Sequence, residues 1–329
     1  MELLVDGRNR LFKKKLGFLL AIMLFLSVAG YMICQSAGRE QLTEQEDFLL
    51  VTSFYPMYIL AQNITDGVDG ISVANLTENQ TGCLHDYQLT AKDMKLLSKA
   101  DAFLINGAGM ELFIDKVLSQ LEELPIIEAS HGISLLEGIA HEHSHGEEEE
   151  HEHDEEGHEH NYNGHVWMDM ERYQTQISAI VEQLKILLPE KAKELTIAGN
   201  KYQNTVQVLL EQLETLKEYT SGLPVVIFHE AFAYLAEALQ MEVIAVVSLD
   251  EETVPSAGEI AEVIEEINYH GGAFIFIEEA YASHAHKIVA ETLAEVIYLD
   301  PLVTGTGEKD SYFIGMEQNL QTIKEYIVK

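Results

Sequence analysis

Cysteine is nearly absent from this chain of 329 residues, which has only Cys34 and Cys83. Cys34 follows directly on an apolar run and would sit at a membrane surface, so an intrachain disulfide with Cys83 is not expected. Core packing and any bound metal must then hold the fold. Basic side chains are scarce too. Lys and Arg number 20 against 55 Asp and Glu, for a formal net charge of −35. Such a chain repels nucleic acid and anionic lipid, has no phosphate-binding character, and concentrates cations around itself. Enzyme signatures are also missing. The sequence has no His-Glu-x-x-His, no Gly-x-Ser-x-Gly, no phosphate-binding glycine loop and no Rossmann glycine fingerprint.

What is present begins with an export signal. Lys13, Lys14 and Lys15 precede an uncharged apolar run over residues 16–33, the pattern of a positive n-region and a hydrophobic h-region. A cysteine directly after it reads as the acylated residue of a bacterial lipoprotein, with residues 1–34 as signal and membrane anchor. Ile33 is large for the position before such a cysteine. Two readings therefore stay open: cleavage at Ser27-Val28-Ala29, and an uncleaved anchor. Each leaves the remainder outside the cytoplasmic membrane. Residues 35–47 are polar and read as a flexible tether.

From Phe48 short apolar β-rich runs alternate with amphipathic helical patterns. "FLLVTSFYP", "ISVANL", "DAFLING" and "PIIEAS" are strands, with helices at 56–65, in "TAKDMKLLSKA" and in "MELFIDKVLSQLEEL". Thr90 is the expected cap of the second helix, with Asp93 completing a capping box. After Trp167 comes a long helical zone that Pro189 interrupts. No proline occurs from Glu190 to Thr220, and that helix, on the order of 45 Å, should span the molecule. The rhythm then restarts with strands "LPVVIFH", "EVIAVVS", "AFIFIEE" and "VIYLDPL", separated by helices that include "PSAGEIAEVIEEIN" and "HAHKIVAETLAEV". The expectation is an α/β protein of two lobes, each a mostly parallel sheet flanked by helices, joined by one long rigid interlobe helix. The lobes are placed at 48–188 and 223–329 and the helix at 189–222.

The first lobe carries an insertion, "HEHSHGEEEEHEHDEEGHEH", residues 141–160. It holds seven histidines (His141, His143, His145, His151, His153, His158 and His160), ten carboxylates and nothing apolar. It cannot form a core by itself. Any metal sites in it are expected to be several, weak and exchangeable, because gathering them costs about 1–2 kcal/mol of backbone entropy per fixed residue. A plain solvated spacer is the competing reading.

In open α/β sheets ligands bind beyond the carboxyl ends of the strands. His229 ends "LPVVIFH", Asp300 ends "VIYLD", His85 lies in the loop after "ISVANL", and His165 heads "GHVWMD". Singly each has an ordinary explanation as a cap, turn or surface residue. Together, two per lobe, they make a plausible shell for one divalent ion, and three neutral imidazoles with a carboxylate suit zinc. Glu279 is a reserve ligand and Cys83 a weaker alternative. Four protein ligands fill a tetrahedron and leave no position for a reacting water, which favours holding an ion over using it.

These residues carry a resemblance. "HDYQLTAKD", "GHVWMD", "VVIFHEAFAYLAEAL" and "YLDPLVTG" followed by "DSYFIGMEQNL" occur in the order found in the metal-specific solute-binding proteins of ABC importers, the ZnuA-like or cluster A-I group. The resemblance covers residues 48–329. It implies two lobes joined by a rigid helix, and a metal site between them at the positions of His85, His165, His229 and Asp300. It also implies delivery of the ion to a membrane permease driven by a cytoplasmic ATPase. Histidine at 229 resembles zinc-binding members, whereas manganese-binding relatives commonly have glutamate there. Leu84 departs from the proline that many members carry before the first histidine. The expected cargo is therefore Zn2+, with Mn2+ less favoured, bound by a monomer tethered to the outer face of the membrane. A manganese-binding member, a metal-sequestering surface adhesin and a zinc-dependent extracellular hydrolase are the alternatives.

Overall fold

The computed structural model describes residues 47–79, 81, 84, 87–138, 162–247 and 255–328. The signal segment with Cys34, most of the tether, Cys83, His85 and the histidine-acid stretch lie outside the described residues. Two four-stranded sheets form. The first holds β1 (Phe48–Thr52), β2 (Ile71–Asn75), β3 (Ala102–Ile105) and β4 (Ile126–Glu128) in the order β2-β1-β3-β4. The second holds β5 (Pro224–Phe228), β6 (Glu242–Val247), β7 (Ala273–Ile277) and β8 (Ala294–Tyr298) in the order β6-β5-β7-β8. Every pairing is parallel. The central strands β3, β5 and β7 are buried almost throughout, because apolar side chains on both faces need cover on both faces. In each sheet the chain runs outward from the two central strands in opposite directions. A crevice therefore opens at the carboxyl ends of β1 and β3, and of β5 and β7.

Nine helices are described: α1 (Tyr55–Ile64), α2 (Ala91–Leu97), α3 (Ile114–Leu118), α4 (Met170–Leu187), α5 (Ala192–Thr220), α6 (Ala233–Ala238), α7 (Ala257–Tyr269), α8 (Ala282–Glu291) and α9 (Ser311–Ile327). Thr90 caps α2 with a reciprocal bond from Asp93, as the sequence suggests. Ser256 caps α7 in the same way with Glu259, so Pro255 stands one residue outside the helix rather than at its start. The third helix is much shorter than its pattern implies. Gly107, Ala108 and Gly109 all have positive φ, and the buried Glu111 side chain bonds back to Asn106 and Gly107. That turn uses up the residues meant for the first helical turn and leaves Leu112 70% exposed. The helix in "HAHKIVAETLAEV" ends at Glu291, because Ala294 to Val296 pair with β7 instead.

The long helix α5 has 29 residues, about 43 Å at 1.5 Å per residue. Leu195, Tyr202, Val206, Leu209, Leu213 and Leu216 form its buried stripe. It lies on α1, α4 and α9, and so touches helices that cover both sheets. One hydrophobic cluster runs from Leu50 and Phe54 through Trp167, Tyr173 and Val206 to Val225, Ile227 and Tyr312. Val226, Phe228, Ile275 and Ile277 point to the opposite face of the second sheet and form a separate cluster there.

Candidate metal centre

β5 ends at Phe228, and His229 follows at φ 79°. A non-glycine residue in that region is uncommon and holds strain of order 1–3 kcal/mol. The turn is held open by its surroundings. The His229 N–H still bonds Val247 O at 3.0 Å, which continues the ladder to β6, before the chain enters the short turn Glu230–Phe232. The imidazole lies at the crevice between β5 and β7. Glu278 is the first residue after the neighbouring β7, and its Oε1 lies 2.9 Å from His229 Nδ1. A carboxylate only accepts, so Nδ1 carries a proton, and in the neutral ring the lone pair is on Nε2.

His165 comes from the first lobe, at the start of the turn Val166–Met168, and is fully buried. Its backbone N–H and its Nδ1 lie 2.9 and 3.0 Å from Asn163 Oδ1. The orientation of that amide is settled on its other side. Asn163 Nδ2 donates to Glu230 O at 2.8 Å, and a carbonyl can only accept. Oδ1 therefore faces His165, whose Nδ1 is the protonated nitrogen. The two imidazoles meet edge to face, with centroids 4.8 Å apart and planes at 87°. Two rings from two lobes thus converge, each with Nδ1 turned to an acceptor.

Asp300 follows β8 and lines a cavity of about 300 Å³ together with Tyr55 and Tyr312. Its backbone is fixed by Asn319, which accepts from Asp300 N and donates to Asp300 O. Solvent reaches the carboxyl, yet protein surrounds it on most sides. That desolvation pushes its pKa above the ordinary carboxylate value, and the Glu278 charge pushes the same way; the Leu302 N–H opposes them. Glu279 is exposed, and it is the adjacent Glu278 that reaches a histidine. Among the described residues no three His, Cys, Asp or Glu side chains converge closely enough to hold an ion. His85 lies outside them.

The matching crevice of the first sheet is filled by a carboxylate that sequence reasoning missed. Glu111 accepts from Ser53 Oγ at 2.7 Å, Asn106 N at 2.8 Å and Gly107 N at 3.0 Å. It is almost completely buried, and desolvation pushes it up to about 7 against those bonds. Asn106 Nδ2 in turn donates to Gly164 O, beside His165. Glu278 had a visible signal, since it stands first after an apolar strand. Asn163 and Glu111 had none, because neither follows a strand.

Residues 50–326 match the family described as ZnuA, zinc-uptake complex component A periplasmic. The zinc-binding protein AdcA of Streptococcus pyogenes serotype M3 is 30% identical over 323 residues, covering 92% of this chain and 61% of that protein. The high-affinity zinc uptake system protein ZnuA of Bacillus subtilis is 27% identical over 326 residues, covering 97% of this chain and 99% of that protein. The chain therefore spans under two-thirds of the streptococcal proteins and nearly all of the Bacillus one. Among solved structures, Zn(II)-bound AdcA of Streptococcus pneumoniae is similar with a TM-score of 0.67 at 26% identity, over 86% of this chain and 58% of that one. FpvC of Pseudomonas aeruginosa in complex with Mn2+ has a TM-score of 0.70 at 22% identity, over 86% and 98%, a likeness of fold alone.

Proposed function

The chain belongs to the ZnuA family of zinc-uptake components, and from that premise we propose that it captures Zn2+ outside the cytoplasmic membrane and delivers it to an ABC importer permease. The observation that carries the reading is the pair His165 and His229. Each comes from a different lobe, and each has Nδ1 bonded to an acceptor, which in the neutral ring puts the lone pair on Nε2. Ligation by neutral imidazole with an outer-shell acceptor is the chemistry zinc favours. In this reading His85 and Asp300 complete the shell. The carboxyl of Asp300, which desolvation holds above the ordinary carboxylate value, would bind a dication as the carboxylate. A closed four-ligand shell suits a protein that holds its cargo and hands it on. Acylation at Cys34 would tether it beside the permease, and the histidine-acid stretch would serve as a weaker collecting site.

Zinc titration of two variants tests this. Protein lacking residues 141–160 is expected to keep one tightly bound zinc. His229→Ala is expected to lose affinity by more than the roughly 10–100-fold that removal of an outer-shell partner costs. Loss of tight binding along with the loop would move the main site into the loop. Manganese recovered at unit stoichiometry and resistant to exchange with zinc would overturn the choice of ion.

A further inference from the structure

We infer that the lysine-bearing side of α2 is a docking surface for an acidic segment of the membrane permease, an inference that rests on the transport reading above. In a chain of net charge −35, Lys92, Lys95 and Lys99 stand three and four residues apart along α2 and the turn that follows. All three are exposed, and none has an ion-pair partner among the described residues. Lys185, Lys191, Lys201, Lys217 and Lys309 do pair with acids. Lys116, Lys193, Lys287 and Lys324 are unpaired as well among the described residues, but each stands apart in the sequence, whereas Lys92, Lys95 and Lys99 stand side by side along one helix and the turn after it. Compensation of the helix dipole accounts for Lys95 and Lys99 near the carboxyl end. It does not account for Lys92 in the first turn, where the helix end is already positive.

The three lysines line a pocket of about 290 Å³ with Asn75, Thr77 and Glu78. Thr77 is 6% exposed, and its hydroxyl has no hydrogen-bond partner. A buried unpaired donor beside ammonium groups suits a carboxylate, which accepts both kinds of bond. Asp93 lines it too, and three lysines against Glu78 and Asp93 leave a small surplus of positive charge. Asn75 ends β2, so the pocket lies at the carboxyl edge of the first sheet, the edge on which the imidazole crevice opens. The segment that leaves it, residues 76–90, carries His85. Through Asn79 O it accepts a bond of 3.1 Å from Gly305 N of the second lobe. A partner seated in the pocket would lie beside Asn79, through which the first lobe is bonded to the second.

An anionic bilayer carries the same charge but fits less well. Within a Debye length of about 8 Å the lysines attract, while the acidic surface around them is repelled by a flat anionic sheet. A concave pocket admits a protruding carboxylate side chain and not a plane.

The test replaces the chain in its own cells by the full-length triple variant K92E/K95E/K99E and follows uptake of radioactive zinc. Zinc affinity, circular dichroism and cellular protein level are measured alongside. The expected result is uptake lowered by roughly ten-fold or more with unchanged zinc affinity, while the triple Lys→Arg variant keeps its uptake. Uptake unaffected by the charge reversal would overturn the inference and leave the transport reading standing. Wild-type protein that neither binds zinc nor supports uptake would overturn the transport reading itself. Phosphatidylglycerol vesicles bound by wild type and not by the Glu variant would reassign the surface to lipid and overturn the inference in favour of a membrane contact.

Discussion

At the scale of single residues, the two imidazoles are oriented by unlike partners, a carboxylate for His229 and a neutral amide for His165. The carboxylate is the stronger acceptor and raises the basicity of the ring it holds. Gln at 278 can turn its NH2 toward Nδ1, which would move the ring proton to Nε2 and block ligation. Glu278→Gln should therefore weaken zinc binding by about 10–100-fold, read by competition against a fluorescent chelator; unchanged affinity would deny Glu278 that role. Glu111 makes a separate prediction about stability. Its folded pKa, pushed up to about 7, exceeds its unfolded value, so the native state binds the extra proton in between. Its contribution is greatest below the unfolded pKa and falls as pH rises towards 7, by an amount on the order of 3 kcal/mol. Glu111→Gln should remove that slope. Urea unfolding across pH 4.5 to 8 is the measurement, and parallel curves for the two proteins would contradict it. Glu278 showed at a strand end, but its pairing with His229, and Asn163 altogether, were hidden in the sequence for a physical reason. A strand end tells where a side chain emerges, whereas Asn163 and Glu278 act through neighbours that only sheet order and lobe contact bring near.

At the scale of elements, all eight strands were legible, because each is a short apolar run bounded by turn residues. The length of α5 was legible from the absence of proline after Pro189. The truncation of α3 was not. Its apolar spacing is helical, but the bonds of Glu111 to Asn106 and Gly107 take precedence over local periodicity. Gly199 shows the reverse case, a residue that weakens a helix locally and helps it globally. A Cβ there would lie 2.8 Å from Val181 Cγ2 on α4. Alanine would gain about 1 kcal/mol of helix propensity. Val181 is branched at Cβ and cannot swing aside easily, and overpacking of this kind costs about 1–3 kcal/mol. Gly199→Ala should thus lower the unfolding free energy by roughly 1 kcal/mol net, seen as an earlier urea midpoint at constant slope. A later midpoint would mean that the α4–α5 contact yields and propensity wins.

At the scale of the whole molecule, the lobes are bonded to each other on both sides of the crevice. Trp167 Nε1 donates to Pro301 O at 2.9 Å, and Tyr312 OH donates back to Trp167 O at 2.8 Å. Tyr234 OH donates to Asn163 O at 2.8 Å, and Arg172 pairs with both Asp169 and Glu237. On the far edge Asn63 Nδ2 donates to Lys309 O at 2.7 Å, while Lys309 pairs with Asp66. Beneath these bonds the hydrophobic cluster continues from one sheet to the other without a break. A large hinge rotation would have to break several bonds, each worth about 1 kcal/mol net, and expose apolar surface at about 25 cal/mol per Å². The ion then has to be admitted by local movement of a few ligand-bearing segments. Metal-free and zinc-loaded protein should accordingly give superimposable small-angle scattering profiles, with amide exchange along α5 unchanged by zinc. A shift in radius of gyration of the kind produced by lobe rotation would show that the bonds across the crevice open in solution. The two imidazoles, which here meet in ring contact, would then be brought together by the metal rather than by the fold.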